Sequence, residues 1–171
     1  MMFTLSSQAF EDGQVIPDQY VEDNLISPPL KWENAPDGTR CFFLVMTDQD
    51  IPGQYRDNLG RGFVHWMACI PGSVRELPEG ASPGNMPAGS KEFKTDFVNF
   101  GMPGYGSHYG GPWPPDAPHR YTFMLFALKG EPDLSPNPDF AEIAGAILYN
   151  TIDVARLIGI YGPAKKSMPG S

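Results

Sequence analysis

A β-rich fold in a single domain is what this sequence predicts, and three observations predict it. The 171 residues are enough for one sizeable core and give no linker long enough to divide two. Nineteen glycines and nineteen prolines follow no fixed period, so they mark many turns between short elements. Three apolar runs, CFFLVMTDQD (41–50), FVHWMACI (63–70) and YTFMLFAL (121–128), have the length of strands buried on both faces. A hydrophobic content of 41% suits a packed core rather than a disordered chain.

Taken in order, shorter strands are expected at 2–5, near 14–16, at 29–33 and at 96–100. Residues 80–111 form a long glycine-containing stretch, which in a compact domain is commonly functional, and it leads straight into GGPWPPDAPHRYTF (110–123). One segment breaks the β pattern. In NPDFAEIAGAILYN, Asn137 can cap a helix, Pro138 suits the first turn, and Asp139 complements the helix dipole. Phe140, Ile143, Ala144 and Ile147 then fall at helical spacing as an apolar stripe. The β-branched residues that follow predict a strand from about 153 to 161, and the end of the chain, about 163–171, reads as a mobile tail.

The formal net charge of −8 disfavours nucleic acid and anionic membrane surfaces as partners. No run of 18 apolar residues occurs, so no integral membrane segment is expected. The start, MMFTLSSQAF, lacks a basic region followed by an apolar one, which leads to an expectation of no secretory signal and a cytoplasmic protein. One disulfide between Cys41 and Cys69 is conceivable; two buried free thiols in a reducing compartment are the leading expectation. No metal-finger spacing is present, and neither metal nor cofactor is expected.

Polar groups gather where strands meet loops. Asp48 and Asp50 follow the first long strand and share a side if the chain stays extended. His65 sits inside the second, where a lone histidine is more often a hydrogen-bonded core residue than a ligand. His119 and Tyr121 share one face of the third by the same period of two. Together they supply donors and acceptors that suit an anion, with glycine-loop amides beside them. The prolines at 112, 114, 115 and 118 would hold such a site rigid.

Several stretches, in order, resemble the phosphatidylethanolamine-binding protein family, in its bacterial and archaeal Raf-kinase-inhibitor-like branch. They are FTLSSQAFEDGQVIP, NLISPPLKW, DQDIP, FVHWMACIP with the following LPEG, and YGGPWPPDAPHRYTFMLFAL. The resemblance covers roughly residues 3–161. It implies a large antiparallel sheet packed on a smaller one, with peripheral helices. It also implies a small cavity for phosphate-like anions, lined here by Asp48, Asp50, Pro52, His65, Gly111, Pro112, His119 and Tyr121. Gln49 departs from the family's Asp-Pro-Asp pattern, and Trp113 stands where relatives often carry a smaller residue.

The leading expectation is a non-catalytic binding protein for phosphoethanolamine, a phospholipid head group, or a phosphorylated or peptide segment of a target kinase or protease. In it both histidines donate to the anion. Tyr55, Arg56 and Arg61 are candidates to cover the pocket. A homodimer is a further expectation, with Tyr109, Trp113 and the 80–111 loop as candidate contacts. The alternative is a hydrolase or metal-dependent enzyme using the His and Asp cluster. It lacks a His-Glu-x-x-His helix, a Gly-x-Ser-x-Gly elbow and a phosphate loop.

Overall fold

The structure, a computed structural model, describes residues 1–53 and 61–169. Two sheets carry the fold. The smaller is made of β1 (Thr4–Ser6), β3 (Leu30–Glu33) and β6 (Glu76–Leu77). The larger runs in the order β2 (Gln14–Val15), β9 (Thr151–Tyr161), β8 (His119–Leu128), β4 (Cys41–Asp48), β5 (Phe63–Pro71), β7 (Lys91–Glu92). All its pairings are antiparallel except β2 with β9.

The continuous apolar run explains the place of β4: every one of its residues is buried, so it needs cover on both faces and both edges. Its inner face, with Phe42, Leu44 and Met46, meets Trp32 and Leu30 of the small sheet and Trp66, Phe123 and Leu125 of its neighbours. The outer face, with Cys41, Phe43 and Val45, is covered by Ile143 and Ile147 of helix α2 (Phe140–Asn150). That helix realises the expected stripe, but Asp139 is its cap and not Asn137. The Asp139 carboxylate accepts from the Glu142 N–H at 2.8 Å, a contact worth about 1 kcal/mol.

Three further expectations change. Residues 96–100 form a short helix, α1 (Asp96–Asn99), not a strand. The Asp96 carboxylate accepts from the Val64 N–H at 2.7 Å and from Asn99 at 3.0 Å, and pairs with Arg61, which bends the chain around that side chain. The tail is docked as far as it is described, instead of free from 163. Buried Glu22, in the left-handed region at φ 57°, accepts from the Lys165 N–H at 3.0 Å, the Lys166 N–H at 2.8 Å and the Tyr161 hydroxyl. Finally, Tyr109 and Trp113 are buried rather than offered to a second copy. The Tyr109 hydroxyl donates to the Tyr20 carbonyl, and the Trp113 indole donates to the Lys166 carbonyl.

Cys41 and Cys69 are free thiols, diagonal neighbours on the outer face because Cys41 pairs with Pro71 and Cys69 with Phe43. Cys41 is buried, whereas Cys69 is half-buried. Among the described residues no helix is long and apolar enough to cross a membrane.

Candidate functional site

The strand ends bring four of the sequence-predicted residues together. Asp48 closes β4 and pairs with Tyr121 on one side and Phe63 on the other. Alternation along β8 then points His119, Tyr121 and Phe123 at the inner face, as expected from the period of two.

His65 arrives by a route the sequence did not reveal. Across β4 and β5, Met46 pairs with Trp66 but Thr47 pairs with Val64, so His65 is the extra residue of a β-bulge. A bulge shifts the side-chain alternation by one. Val64 therefore joins Met67 on the outer face, while His65 meets Tyr121 edge-on, with ring centroids 5.2 Å apart. Phe63 and Phe97 complete an aromatic wall around the imidazole at 5.1 and 5.0 Å.

The two imidazoles hold different protonation states. His65 Nδ1 lies 2.8 Å from the Gly110 carbonyl, which only accepts, so Nδ1 carries the hydrogen and Nε2 keeps a lone pair. Burial pushes the His65 pKa down, against the smaller opposing effects of Asp48 and the Gly110 carbonyl, so the ring is neutral. His119 has a carboxylate at each nitrogen: Asp48 Oδ2 at 2.6 Å from Nδ1 and Asp116 Oδ1 at 2.7 Å from Nε2. Burial opposes its charge, but the hydrogen bonds and charges of Asp48 and Asp116 outweigh that and raise its pKa. Both nitrogens donate, and the ring is an imidazolium.

The Tyr121 ring contacts both, with its centroid 5.2 Å from that of His65 and 6.5 Å from that of His119, and it carries a hydroxyl. It is fully buried and has no hydrogen-bond partner of normal geometry, although the Asp48 carboxylate and the Trp113 backbone are its polar neighbours. Burial first, then the Asp48 charge, pushes its pKa up, so the group stays a neutral donor. A buried unsatisfied hydroxyl costs about 1–3 kcal/mol, so a fold that keeps one gains from it elsewhere.

The remaining predicted residues have other places. Asp50 does not join Asp48, because the strand ends in a turn where the Asp50 N–H donates to Asp48 Oδ1 at 2.8 Å. Its own carboxylate is taken by the Arg120 guanidinium in two hydrogen bonds, 2.8 and 2.9 Å, and by the Arg120 N–H. The Arg120 hydrogen bond holds the Asp50 pKa down at about 2. Gly111 and Pro112 make a wall. A Cβ at Gly111 would come 2.7 Å from the Tyr20 carbonyl oxygen, and the Pro112 carbonyl accepts from the Glu22 N–H at 2.8 Å. A Cβ at Gly110 would enter the Phe97 ring. The space these glycines leave is filled by protein, not held open, unlike the sequence expectation of room for a ligand.

Pro52 is half-buried beside Ile51, whose side chain packs with Phe63 and Phe97. Arg61 faces Asp96 and the Phe140 ring; Tyr55 and Arg56 lie outside the described residues. Sequence reasoning missed Asp116 and Arg120. The signal for the second was present: Arg120 alternates with His119 and Tyr121, so it points outward, toward the acid that had to turn away.

Comparison with known proteins agrees with this architecture. The family profile described as phosphatidylethanolamine-binding protein matches residues 6–162. A UPF0098 protein of Aquifex aeolicus is 35% identical over 160 residues, covering 91% of this chain and 85% of that one. The UPF0098 protein YbcL of Escherichia coli is 30% identical over 172 residues, covering 93% and 87%. Among solved structures, Escherichia coli YbcL, described as a member of the mammalian PEBP family, superposes with a TM-score of 0.81 at 28% identity, covering 95% of this chain and 99% of that one. A phosphatidylethanolamine-binding protein homologue from Chlamydia trachomatis gives 0.78 at 27% identity, covering 94% and 97%.

Proposed function

Because this chain belongs to the phosphatidylethanolamine-binding protein family, we propose that the cluster of Asp48, His65, His119 and Tyr121 is a non-catalytic site for a phosphate-like anion. The observation that carries the reading is the buried Tyr121 hydroxyl without a partner, on a ring that contacts a neutral imidazole and a charged one. Tyr121 donates to a ligand oxygen. His65 Nε2 accepts from the P–OH of inorganic phosphate or a phosphomonoester, a hydrogen bond a phosphodiester does not offer, so His65 serves as an acceptor here and not as the donor its sequence context suggests. Asp48 fixes the His119 imidazolium beneath, a positive charge in a region where water is excluded. Asp50 contributes through the turn and Arg120, away from the ligand.

The ligand chemistry, a phosphomonoester or phosphodiester oxygen, is shared by a phospholipid head group and a phosphorylated protein segment. A kinase or protease target belongs to the same proposal. So does a cytoplasmic location, which the two unpaired thiols support. Titrating inorganic phosphate and phosphoethanolamine while recording histidine ring resonances tests the reading. The expected result is millimolar-range binding that shifts His65 and His119 and is lost in Tyr121→Phe, with no release of product. Rings that ignore both ligands would overturn it.

A further inference from the structure

We propose that Asp116 is a built-in competitor for the ligand, occupying the donor of His119 that an incoming anion would use. The inference rests on the anion-site reading above and adds a residue to it. His119 has two N–H donors, and both are engaged. Nδ1 is held by Asp48, whose carboxylate is buried, also accepts from the Asp50 N–H and cannot leave without unmaking the end of β4. Nε2 is held by Asp116, whose side chain is 55% exposed and touches the site through this contact.

The loop makes the second contact removable. Residues 110–114 are buried and tied down: Gly110 to His65, Pro112 to Glu22, Trp113 to Lys166, Pro114 to Ala164. Residues 115–118 are exposed, and no hydrogen bond among the described residues fixes them apart from the Asp116 carboxylate. The loop is thus hydrogen-bonded up to Pro114 and again at His119, with Ala117 and Pro118 close against Gly162 and an exposed turn at 115–116 that places one carboxylate on the ring. A carboxylate at 2.7 Å from an imidazolium N–H offers the same interaction as a phosphate oxygen: a charge-assisted hydrogen bond to a single acceptor atom. The exchange leaves the charge on His119 unchanged, since one anionic oxygen replaces another. A released Asp116 goes to water and needs no new partner.

The consequence is weak binding by design. Part of any anion's interaction with His119 is spent displacing Asp116, and the displaced charge then faces the ligand. Removing that carboxylate relieves both effects, whereas a residue with a purely structural role would leave affinity unchanged or lower it. The test is calorimetric titration of inorganic phosphate into the native protein, Asp116→Ala, Asp116→Asn and a control, Asp37→Asn, which removes an exposed acid elsewhere. Ring resonances of His119 are followed in each. The expected result is at least tenfold tighter phosphate binding in both Asp116 variants and less than a twofold change in the control. In the variants the His119 pKa falls without phosphate and rises again with it. Native-like thermal unfolding of Asp116→Asn guards against a misfolded Asp116→Ala. If the native protein binds phosphate and both variants bind it equally or more weakly, Asp116 is no competitor and the anion site stands. If neither the native protein nor the variants bind, both readings fall.

Discussion

His65 and His119 lie on strands that flank the same neighbour, β4, and both are almost fully buried, yet the protein treats them in opposite ways. His65 is enclosed by three aromatic rings and satisfied by one backbone carbonyl, so burial wins and the ring is neutral. His119 is as little exposed but lies nearer the surface, against the exposed Asp116, and carries a carboxylate at each nitrogen, so the carboxylates win and the ring is charged. The difference shows that burial alone does not set the state of a histidine. What sets it is whether carboxylates reach the ring nitrogens. One pair of identical side chains thereby gives a neutral ring and a charged one, both in contact with the Tyr121 ring.

The largest test breaks the hydrocarbon side. Phe97→Ala removes the ring that packs on His65 and fills the space above Gly110. It should cost about 4 kcal/mol in urea denaturation. It should also raise the His65 pKa toward its ordinary value as water enters, which ring titration by NMR reads directly.

Next comes the charged side. Asp48→Asn leaves Asp116 as the one carboxylate on His119 and should destabilise the protein by about 3 kcal/mol below neutral pH. An unchanged midpoint would mean that Asp116 suffices to hold the imidazolium.

The pH dependence separates the two rings without removing either. A raised folded pKa at His119 contributes stability that is complete below about 6.5 and lost as pH rises through the folded value. A lowered folded pKa at His65 acts the other way: stability falls as pH drops below about 6.5, because the unfolded ring binds a proton that the folded one refuses. The contribution of these two groups therefore peaks near pH 6.5. Asp116→Asn should flatten the alkaline arm and leave the acid arm in place, as measured by denaturation at a series of pH values.

The smallest expected effect on stability is at the hydroxyl itself. Tyr121→Phe removes a donor with no partner, so it should leave stability unchanged or raise it by up to about 1 kcal/mol, while abolishing anion binding. A loss of several kcal/mol would mean that the hydroxyl is satisfied and structural.

Much of the fold was legible because it rests on local pattern. The apolar runs at 41–48, 63–70 and 121–128 have strand length and composition, and Phe140, Ile143 and Ile147 have helical spacing; each became the element it suggested, although β8 alternates between buried and partly exposed positions. Misreadings came where a single long-range partner overrode propensity. Phe97 and Val98 favour a strand by composition, but Asp96 gathers Arg61, the Val64 N–H and Asn99 and turns the chain into a helix. The tail after 162 looks free in sequence because its anchor, Glu22, lies about 140 residues earlier.

The sequence by itself determined that Asp48, His65, His119 and Tyr121 lie in or at the ends of apolar strands, that prolines crowd the loop before them, and that His119 and Tyr121 share a face, which follows from the two-residue repeat of any strand. Only the tertiary structure decided what those residues are. The bulge that aims His65, the turn that sends Asp50 to Arg120, and the second carboxylate on His119 depend on register and on loops meeting strands. Protonation depends on neighbours brought together in space, and neighbours are what a linear pattern does not contain.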